Sequence, residues 1–432
     1  MTTDAHACPA APDTVALEIT GLANGPDGIA RHEGRVVFVP GVAPGDRVRA
    51  RLVTDRGAFL RAEVVHRCVD GPARRAAPCP WVGSCGGCPW QHVAYPAQLA
   101  AKAANVREAL ARIGGVVAAR ELAIRAAPDE WRYRHRIRLH VGPDGVLGYR
   151  RPRSHRVVEI GDCVIADATI TAMLPGIRQL VPQLATRLRD LELIANGDGR
   201  VVASGAAEGA FAAADDRRVA AFLAEHRALA GVRLTGASWR RDWGDLRLFV
   251  RPDDGDPIVQ HPGTFSQVNP AANRLLVETV RTLAEPARRV LDLFCGAGNL
   301  SLPLARAGIA VTGVDANAGA IADARASAAA GAIPGTRFEP VEALRFLRQQ
   351  GLDAAELVIL DPPRTGAAAE ISQLARLRPA RIVYVSCDPA TLARDVAVLA
   401  RAGYTVDRVQ PLDLFPQTPH VETVLEAVGA ID

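Results

Sequence analysis

Apolar runs and helical stretches alternate from Arg289 to the C-terminus, and this alternation constrains the fold more than any other feature of the chain. Seven runs are predicted to be strands, at residues 290–294, 310–314, 337–339, 357–360, 382–385, 405–413 and 420–427. Strands that alternate with helices are typical of a doubly wound sheet with helices on both faces. We therefore predict an α/β domain over residues 266–432.

Residues suited to ligand binding directly follow four of these predicted strands. They are Cys295-Gly-Ala-Gly-Asn299, Asp315, Asp361-Pro-Pro-Arg364 and Cys387. In an open α/β sheet, ligands bind at the carboxyl ends of the strands, so these residues are expected to lie together. The glycines would let the backbone approach a ligand closely, and Asp315 is placed to accept both hydroxyl groups of a ribose.

Cys387 stands where the apolar run 382–385 ends, and Pro389 opens a predicted helix directly after it. A thiol at this edge, near a helix N-terminus, is placed to act as a thiolate nucleophile. The alternative is a small buried core residue, which is what most free cysteines are.

Two enzyme classes fit a glycine turn followed by a strand-end acid: dinucleotide-dependent dehydrogenases and S-adenosylmethionine-dependent methyltransferases. The dinucleotide fingerprint is incomplete, because Ser301 stands where its third glycine would be. The Asp361-Pro-Pro-Arg364 motif and the closing pair of strands favour the methyltransferase.

The N-terminal part of the chain has a different pattern. A Pro/Ala-rich tail, predicted to be flexible, covers residues 1–13, and short β-rich runs at 15–19, 34–39, 47–53 and 62–66 predict a small barrel over residues 14–67. Its arginines, which suit RNA binding or a solvated surface, are Arg31, Arg35, Arg47, Arg49, Arg51, Arg56 and Arg61.

Three cysteines, Cys79, Cys85 and Cys88, lie within ten residues of a glycine-rich segment. A tetrahedral zinc site or a 4Fe–4S cluster needs four thiolates, so a fourth must come from elsewhere. Cys68, Cys163 and Cys8 are the candidates. Three clustered cysteines with one distant partner favour an iron–sulfur cluster over a zinc ribbon, which pairs two short motifs.

Arginines alternate with other residues over 131–140, which predicts a strand with Arg132, Arg134, Arg136 and Arg138 on one face. Residues 131–156 carry eight arginines and one acid. Like charges at this density repel one another unless an anion binds, and a nucleic-acid phosphate backbone is the natural partner. The alternative is pairing with acids elsewhere in the fold. Residues 68–265 are assigned to one central domain.

Composition indicates in which cellular compartment the protein is expected. Hydrophobic residues make up 49 % of the 432-residue chain, but no apolar run approaches the length of a membrane span, and the first residues lack a signal-peptide pattern. A cytoplasmic protein without membrane partners is expected. Its eight cysteines are then expected to bind metal, act in catalysis or lie buried rather than form disulfides. The net charge of +4 decides little.

Five motifs in order resemble those of the RNA uracil-5 methyltransferases. They are Gln267-Val-Asn-Pro, Asp292-Leu-Phe-Cys-Gly-Ala-Gly-Asn299, Asp361-Pro-Pro-Arg-Thr-Gly, Ser-Cys387-Asp-Pro and His-Val-Glu422. The cysteine segment up to Lys102 resembles the iron–sulfur branch that modifies ribosomal RNA, and the N-terminal barrel looks like a TRAM domain. The resemblance implies a class I (Rossmann-like) methyltransferase domain, an OB-like TRAM barrel and a central α+β RNA-binding domain.

The resemblance also implies site residues and cofactors. A 4Fe–4S cluster would be bound by Cys79, Cys85, Cys88 and Cys163. Contacts to S-adenosylmethionine are implied for Gln267, Phe294, Asn299, Asp315, Glu342 and Asp361. Two positions depart from the family: Asp315 is often Glu, and Glu342, the expected adenine contact, occupies a variable position.

The implied reaction is methylation of carbon 5 of a specific uridine in 23S ribosomal RNA through a covalent cysteine–uracil adduct. Cys387 is the expected nucleophile, and Glu422 is the expected base that removes the proton from carbon 5. Cys295, in the glycine turn, is the rival nucleophile. The partner is expected to be RNA rather than DNA, and the enzyme a monomer. The alternatives are the same reaction on transfer RNA and a non-catalytic RNA-binding assembly factor.

Overall fold

The computed structural model describes residues 12–143 and 145–429. The tail predicted at residues 1–13 therefore lies outside the described residues, except for its last two. No helix in the described part of the chain is long and apolar enough to cross a membrane.

The N-terminal part is a curled six-stranded sheet in the order β1-β5-β6-β4-β3-β2. Its strands are β1 (Val15–Glu18), β2 (Gly21–Leu22), β3 (Asp27–His32), β4 (Arg35–Pro40), β5 (Arg47–Asp55) and β6 (Phe59–Val69). After β1, the N–H of Ile19 donates to Asp46 and that of Thr20 donates to Ile29, so the chain bridges the two ends of the sheet. The predicted small barrel is confirmed.

The third strand of this barrel was not predicted, because its residues look like a turn. Gly28 lies inside β3, where a Cβ atom would stand 2.4 Å from the side chain of Val42 and 3.2 Å from that of Ile19. The glycine is therefore needed for close packing of the barrel core rather than for a turn.

The central part is a seven-stranded sheet in the order β10-β9-β8-β11-β12-β13-β14 with two helices packed on it. Its elements, together with the helix and the short strand that precede it and a small two-stranded sheet that follows, are α1 (Tyr95–Ala109), β7 (Arg120–Glu121), β8 (Arg136–Val141), β9 (Leu147–Arg150), β10 (Val157–Val158), α2 (Ala168–Leu180), β11 (Arg187–Asn196), β12 (Arg200–Glu208), α3 (Ala214–Glu225), β13 (Leu229–Thr235), β14 (Arg240–Gly244), β15 (Leu248–Val250) and β16 (Ile258–Gln260). A π-helical turn, Leu110–Gly114, extends α1, and a 3-10 turn, Val181–Gln183, extends α2.

The predicted arginine-rich strand is wrong in its first half. β8 begins only at Arg136, and Arg132 has a φ of +54°, which is a left-handed conformation. Arg132 pairs with Asp162 at 2.7 Å. Arg136 and Arg138 do share a face of β8, but a carboxylate of β11, that of Glu192, lies 3.6 Å from each. Acids elsewhere in the fold thus neutralise part of this face, as the alternative interpretation had it.

The C-terminal part is an eight-stranded sheet in the order β19-β18-β17-β20-β21-β23-β22-β7, with helices on both faces. Its remaining elements are α4 (Pro270–Ala284), β17 (Arg289–Leu293), α5 (Ser301–Arg306), β18 (Ala310–Asp315), α6 (Ala318–Ala330), β19 (Thr336–Pro340), α7 (Ala343–Gln350), β20 (Leu357–Leu360), α8 (Ala368–Leu377), β21 (Arg381–Ser386), α9 (Pro389–Arg401), β22 (Thr405–Leu412) and β23 (Glu422–Val428). The predicted doubly wound α/β fold is confirmed. The domain limits at residues 67 and 265 stay predictions.

One strand of this sheet runs against the others and positions the candidate site. β23 pairs antiparallel with both β21 and β22. Its first residues therefore lie beside the last residues of β21, with Thr423 opposite Ser386. This arrangement brings Glu422, at the start of β23, next to Cys387, which directly follows β21.

Candidate active site

The thiol of Cys387 and the carboxyl group of Glu422 meet at the carboxyl edge of the sheet. Burial and, to a lesser extent, the negative charge of Glu422 raise the pKa of Cys387 to about 11, although the positive charge of Arg364 opposes the shift. Glu422 is only 2 % exposed, and burial together with the charge of Asp361 raises its pKa well above the ordinary value. The two predicted catalytic groups are therefore electrostatically coupled to each other.

The two candidate nucleophiles differ in their surroundings. Cys387 is half-buried at the rim of the sheet, whereas Cys295 is 5 % exposed and lies in the main hydrophobic core of the C-terminal part. Burial, together with the negative charges of Asp292 and Asp315, raises the pKa of the Cys295 thiol well above its ordinary value. The geometry favours Cys387 as the residue that a substrate can reach.

The N-terminus of α9 does not activate Cys387 directly. The carboxylate of Asp388 accepts hydrogen bonds from the N–H groups of Ala390 and Thr391, each at 2.9 Å, and so caps the helix. Burial outweighs any favourable effect of the helix on the thiolate, because the pKa of Cys387 is raised rather than lowered. The cation near this thiol is Arg364.

Arg364 and His420 were quoted in the sequence motifs without a role, and the structure places both beside the catalytic pair. A guanidinium nitrogen of Arg364 lies 3.5 Å from Nε2 of His420. Burial and the charge of Arg364 lower the pKa of His420 to about 4, so its imidazole is neutral at pH 7. Arg364 follows two prolines just after the end of a predicted strand, so the sequence pattern alone could have identified it as a site residue.

Three carboxyl groups at the same edge lack an ion-pair partner among the described residues: Asp292, Asp315 and Asp361. Asp292 is fully buried and accepts a hydrogen bond from Ser301, but its Oδ1 has no hydrogen-bond partner. Burial raises the pKa of Asp292 to about 7, and burial also raises that of Asp361. Buried carboxyl groups without an ion-pair partner favour binding of a cationic ligand, because the positive charge of the ligand compensates the buried negative charge.

The glycine turn after β17 joins the predicted ligand residues to one another. Gly296 has a φ of +55° and donates its N–H to Asp315 at 2.9 Å. Gly298 has a φ of +89°, and a Cβ there would lie 2.8 Å from the side chain of Leu302. Both positions therefore require glycine, and the Gly296 contact ties the first strand end to the second.

The structure distributes the other predicted cofactor residues around this turn. Asn299 exchanges two hydrogen bonds with Asn273 of α4, at 2.8 and 3.0 Å. Phe294 follows β17 with a φ of +66°. Gln267 lies half-buried before α4, and Glu342 is exposed at the start of α7. Glu342 thus lies at the outer end of the row of strand ends.

The four predicted cluster cysteines line one cavity of about 310 Å³, here called the cysteine cavity. The fourth thiol is that of Cys163. Cys68 does not line the cavity and is disulfide-bonded, so the expectation that the cysteines form no disulfides is wrong for this residue. Cys8 lies outside the described residues. Burial, with smaller contributions from the neighbouring thiols of Cys163 and Cys85, raises the pKa of Cys88 to about 12. Among residues 12–143 and 145–429, no three His, Cys, Asp or Glu side chains converge closely enough to hold a metal ion.

Comparison with known proteins decides the family. A model of the TRAM domain matches residues 13–65, and a model of the tRNA (Uracil-5-)-methyltransferase family matches residues 257–427. The 23S rRNA (uracil(1939)-C(5))-methyltransferase of Alkalilimnicola ehrlichii is 37 % identical over 428 residues, which cover 94 % of this chain and 95 % of that protein. This chain belongs to the RNA uracil-5 methyltransferase family. The resemblance noted in the sequence is confirmed, and the dehydrogenase alternative is wrong.

Other similar proteins also match over most of their own length and of this chain. The enzyme of the same description from Shewanella amazonensis is 34 % identical and covers 94 % of each chain. An uncharacterized RNA methyltransferase of Gloeobacter violaceus is 35 % identical over 95 % of each chain. The crystal structure of Pyrococcus abyssi tRNA (uracil-54, C5)-methyltransferase with S-adenosyl-L-homocysteine superposes with a TM-score of 0.73 at 26 % identity and covers 95 % of this chain and 99 % of that one. The protein is an S-adenosylmethionine-dependent RNA uracil-5-methyltransferase with a TRAM domain.

Proposed function

We propose that this enzyme methylates carbon 5 of one specific uridine in 23S ribosomal RNA, as a cytoplasmic monomer, through a transient bond from Cys387 to the uracil ring. The observation that carries the proposal is the pairing of a reachable thiol with a buried carboxyl group at the edge of the sheet. Two relatives that share 34 % and 37 % identity over most of this chain bear the 23S rRNA name. These two relatives support ribosomal RNA rather than transfer RNA as the substrate.

The chain's own residues supply the covalent and acid–base chemistry. Cys387, in its thiolate form, forms a bond to carbon 6 of uracil, and the electron pair displaced from the double bond between carbons 5 and 6 makes carbon 5 nucleophilic. Carbon 5 then accepts a methyl group, Glu422 takes the proton from carbon 5, and the returning electron pair expels the thiolate. Arg364 stabilises the thiolate and the negative charge on the ring. A carboxylate with a raised pKa suits proton removal near neutral pH.

S-Adenosylmethionine supplies the methyl group on a positively charged sulfur. The residues present fit this ligand, because the carboxyl groups of Asp292 and Asp361 have no ion-pair partner among the described residues. Asp315 would accept the ribose hydroxyls and Glu342 would contact the adenine. Gln267, Phe294 and Asn299 would complete the contacts.

Binding of S-adenosylmethionine is expected to tighten as the pH rises. The pKa of Asp292 is about 7, so this carboxyl group is mostly neutral at pH 6 and mostly charged at pH 8. A cationic ligand binds the charged form, and calorimetric titration should therefore show a Kd about tenfold lower at pH 8 than at pH 6. The pH profile should become shallower in Asp292→Asn and keep the part contributed by Asp361, whose pKa is also raised to about 7. An affinity that stays constant with pH in the parent enzyme would contradict this assignment.

We also propose that Cys79, Cys85, Cys88 and Cys163 bind a 4Fe–4S cluster. Four thiols border one cavity, but no three such ligands converge on a single point among the described residues. This arrangement suits a cluster, in which each thiolate binds a different iron, better than a single tetrahedral ion. Such a cluster supplies cross-linking of distant chain segments, and the methylation reaction requires no electron from it.

Loss of one of these thiols should remove the cluster. Cys88→Ser is expected to reduce iron from about four atoms per chain to near zero and to abolish the visible absorbance. Cys295→Ser, which changes a buried thiol outside the cysteine cavity, should keep both signals. Equal iron content in the two variants, or an iron-free parent protein prepared without oxygen, would contradict the ligand set.

A segment beside the cysteine cavity is proposed to bind the RNA backbone. Its four exposed arginines form no ion pair with any described residue: Arg150, Arg151, Arg153 and Arg156. The carbonyl of Arg150 accepts the N–H of Gly86 at 3.1 Å, so this segment is attached to the cysteine loop. Unpaired arginines at such a site are suited to phosphate contacts.

Replacement of two of these arginines should weaken RNA binding without slowing the chemical step. For Arg151→Gln/Arg153→Gln we expect an RNA affinity about tenfold lower. The affinity should also depend less steeply on salt concentration, by the amount that corresponds to the loss of about one to two phosphate contacts. Arg247→Gln is the matched control, because Arg247 is exposed but paired with Asp245 at 2.8 Å. A lower kcat with unchanged KM in the double variant would contradict the role.

Mapping of 5-methyluridine in a deletion strain tests the substrate. One uridine of 23S ribosomal RNA should lose its methyl group, and transfer RNA should be unchanged. Loss from transfer RNA instead would support the alternative suggested by the Pyrococcus abyssi structure. No loss from any RNA would support a non-catalytic assembly factor.

A further inference from the structure

The segment 413–420 connects β22 to β23 and ends two residues before Glu422. Phe415 and His420 from this segment line the cysteine cavity. We propose that Gln417, Gln98 and Lys102 are positioning residues, which hold segment 413–420, and with it the base Glu422, against the cysteine-bearing part of the chain. The inference rests on the proposed role of Glu422.

Gln417 is the centre of this contact, and it is fully buried. Its backbone N–H donates to Oε1 of Gln98, and its Oε1 accepts from Nε2 of Gln98, both at 2.9 Å. Its carbonyl accepts the N–H of Trp90 at 3.0 Å, and its Oε1 also accepts from Arg75 at 2.8 Å. One residue near the C-terminus thus bonds to three residues of the cysteine-bearing part.

The backbone of Gln417 adopts a conformation that needs such support. Its φ is +72°, in the left-handed region that residues other than glycine rarely adopt. A residue held in this region persists only where its surroundings fix it. The hydrogen bonds from Gln98 and Trp90 provide that constraint, so their loss should let the segment relax.

Lys102 forms a second attachment from the same helix as Gln98. It is the sole lysine of the chain, and its side chain and that of Asp413 are both 0 % exposed. Its Nζ donates to Asp413 at 2.6 Å and to the carbonyl of Phe415 at 3.0 Å. A buried charge pair costs desolvation energy, and such pairs are best explained where they fix one geometry.

The attachment continues to the cysteines through neighbouring residues. Gln91, next to Trp90 and 1 % exposed, accepts a hydrogen bond from the N–H of Cys79 at 3.3 Å. The hydroxyl of Tyr133 donates to the carbonyl of Pro416 at 2.9 Å from the central part. The cysteine loop and the segment before Glu422 are therefore built as one packed unit.

The test measures which step slows when the attachment is cut. If the base is misplaced, Cys387 still adds to uracil, but the proton stays on carbon 5 and the thiolate cannot leave. Gln98→Ala, Gln417→Ala and Lys102→Met should each accumulate a covalent complex with ordinary uridine RNA, visible on a denaturing gel. The kcat should fall by about 100-fold, since small displacements of reacting groups have effects of that size, while RNA affinity changes by less than about twofold.

The matched control is Gln410→Ala. Gln410 is a buried glutamine on β22, but it donates to the carbonyls of Ala123 and Pro411 and makes no contact with Gln417. This variant should lose stability without accumulating the complex. The double variant Gln98→Ala/Gln417→Ala should be no slower than the slower single variant, because both changes cut one contact. If Lys102→Met fails to fold, the variants Gln98→Ala and Gln417→Ala still test the inference.

The outcomes separate this inference from the proposed function. If Glu422→Gln accumulates the complex but the three positioning variants behave like Gln410→Ala, the inference is overturned and the function stands. If neither Glu422→Gln nor the positioning variants accumulate it, and Cys387→Ala still methylates RNA, the proposed mechanism itself is wrong.

Discussion

Cys387→Ala is expected to lose RNA methylation by about 10⁴-fold or more, because the change removes the sulfur that forms the bond activating carbon 5. Binding of S-adenosylmethionine and of RNA should change little, since the change removes one half-buried sulfur atom at the rim of the sheet. Product formation is measured with tritiated S-adenosylmethionine, and both binding constants are measured on the same preparation.

The control for this variant is Cys295→Ala. Cys295 packs in the hydrophobic core, so its truncation should cost about 1 to 2 kcal/mol of stability but leave RNA methylation detectable. The reverse pattern, with an inactive Cys295→Ala and an active Cys387→Ala, would show that the nucleophile lies in the glycine turn.

Glu422→Gln is expected to slow turnover by about 10³-fold, within the range for loss of a general base, and to accumulate a methylated covalent complex on ordinary uridine RNA. The amide matches the carboxyl group in shape but cannot take the proton from carbon 5, so Cys387 cannot be expelled. The complex is measured on a denaturing gel with labelled RNA and labelled S-adenosylmethionine, which should both appear in one band.

Glu426→Gln is the matched control for this prediction. Glu426 lies on the same strand, is 3 % exposed and pairs with Arg381 at 2.6 Å, so the change disturbs a buried acid without touching the candidate site. It should lower the melting temperature and form no persistent complex. A Glu422→Gln enzyme with normal turnover would assign the proton removal to another group.

The C-terminal fold could be predicted because its local patterns agree with its tertiary structure. The strand Leu357–Leu360 is fully buried and entirely apolar, and the motifs after β17, β18, β20 and β21 lie at the edge where parallel strands end. Strand order in a doubly wound sheet then brings these ends together. The sequence was sufficient to predict that Asp315 and Cys387 lie at this edge of the sheet.

Local patterns failed where packing overrides them. Arg132 continues the alternation of the arginine-rich segment, but its ion pair with Asp162 holds it in a left-handed conformation outside the strand. β12 is rich in Ala and Gly, a composition that does not by itself indicate a strand. A Cβ atom on its Gly205 would lie 2.7 Å from the side chain of Leu234, so small residues there serve packing of β12 in the sheet.

Long-range contacts could not be predicted from patterns at all. Lys102 and Asp413 are 311 positions apart, and Gln98 and Gln417 are 319 apart, yet each pair is buried in direct contact. Nothing near either residue indicates its partner. The unpaired Oδ1 of Asp292 among the described residues is likewise a property of the folded site, because the local sequence does not show that this side chain is fully buried.

Trapping with RNA that carries 5-fluorouridine at the target position tests the central claim most directly. Fluorine at carbon 5 cannot be removed as a proton, so the bond between sulfur and carbon 6 should persist after methyl transfer. Peptide mass spectrometry should locate the nucleotide on Cys387, and Cys387→Ala should trap nothing. A nucleotide found on Cys295, or methylation of the RNA with no covalent complex at any residue, would contradict the account.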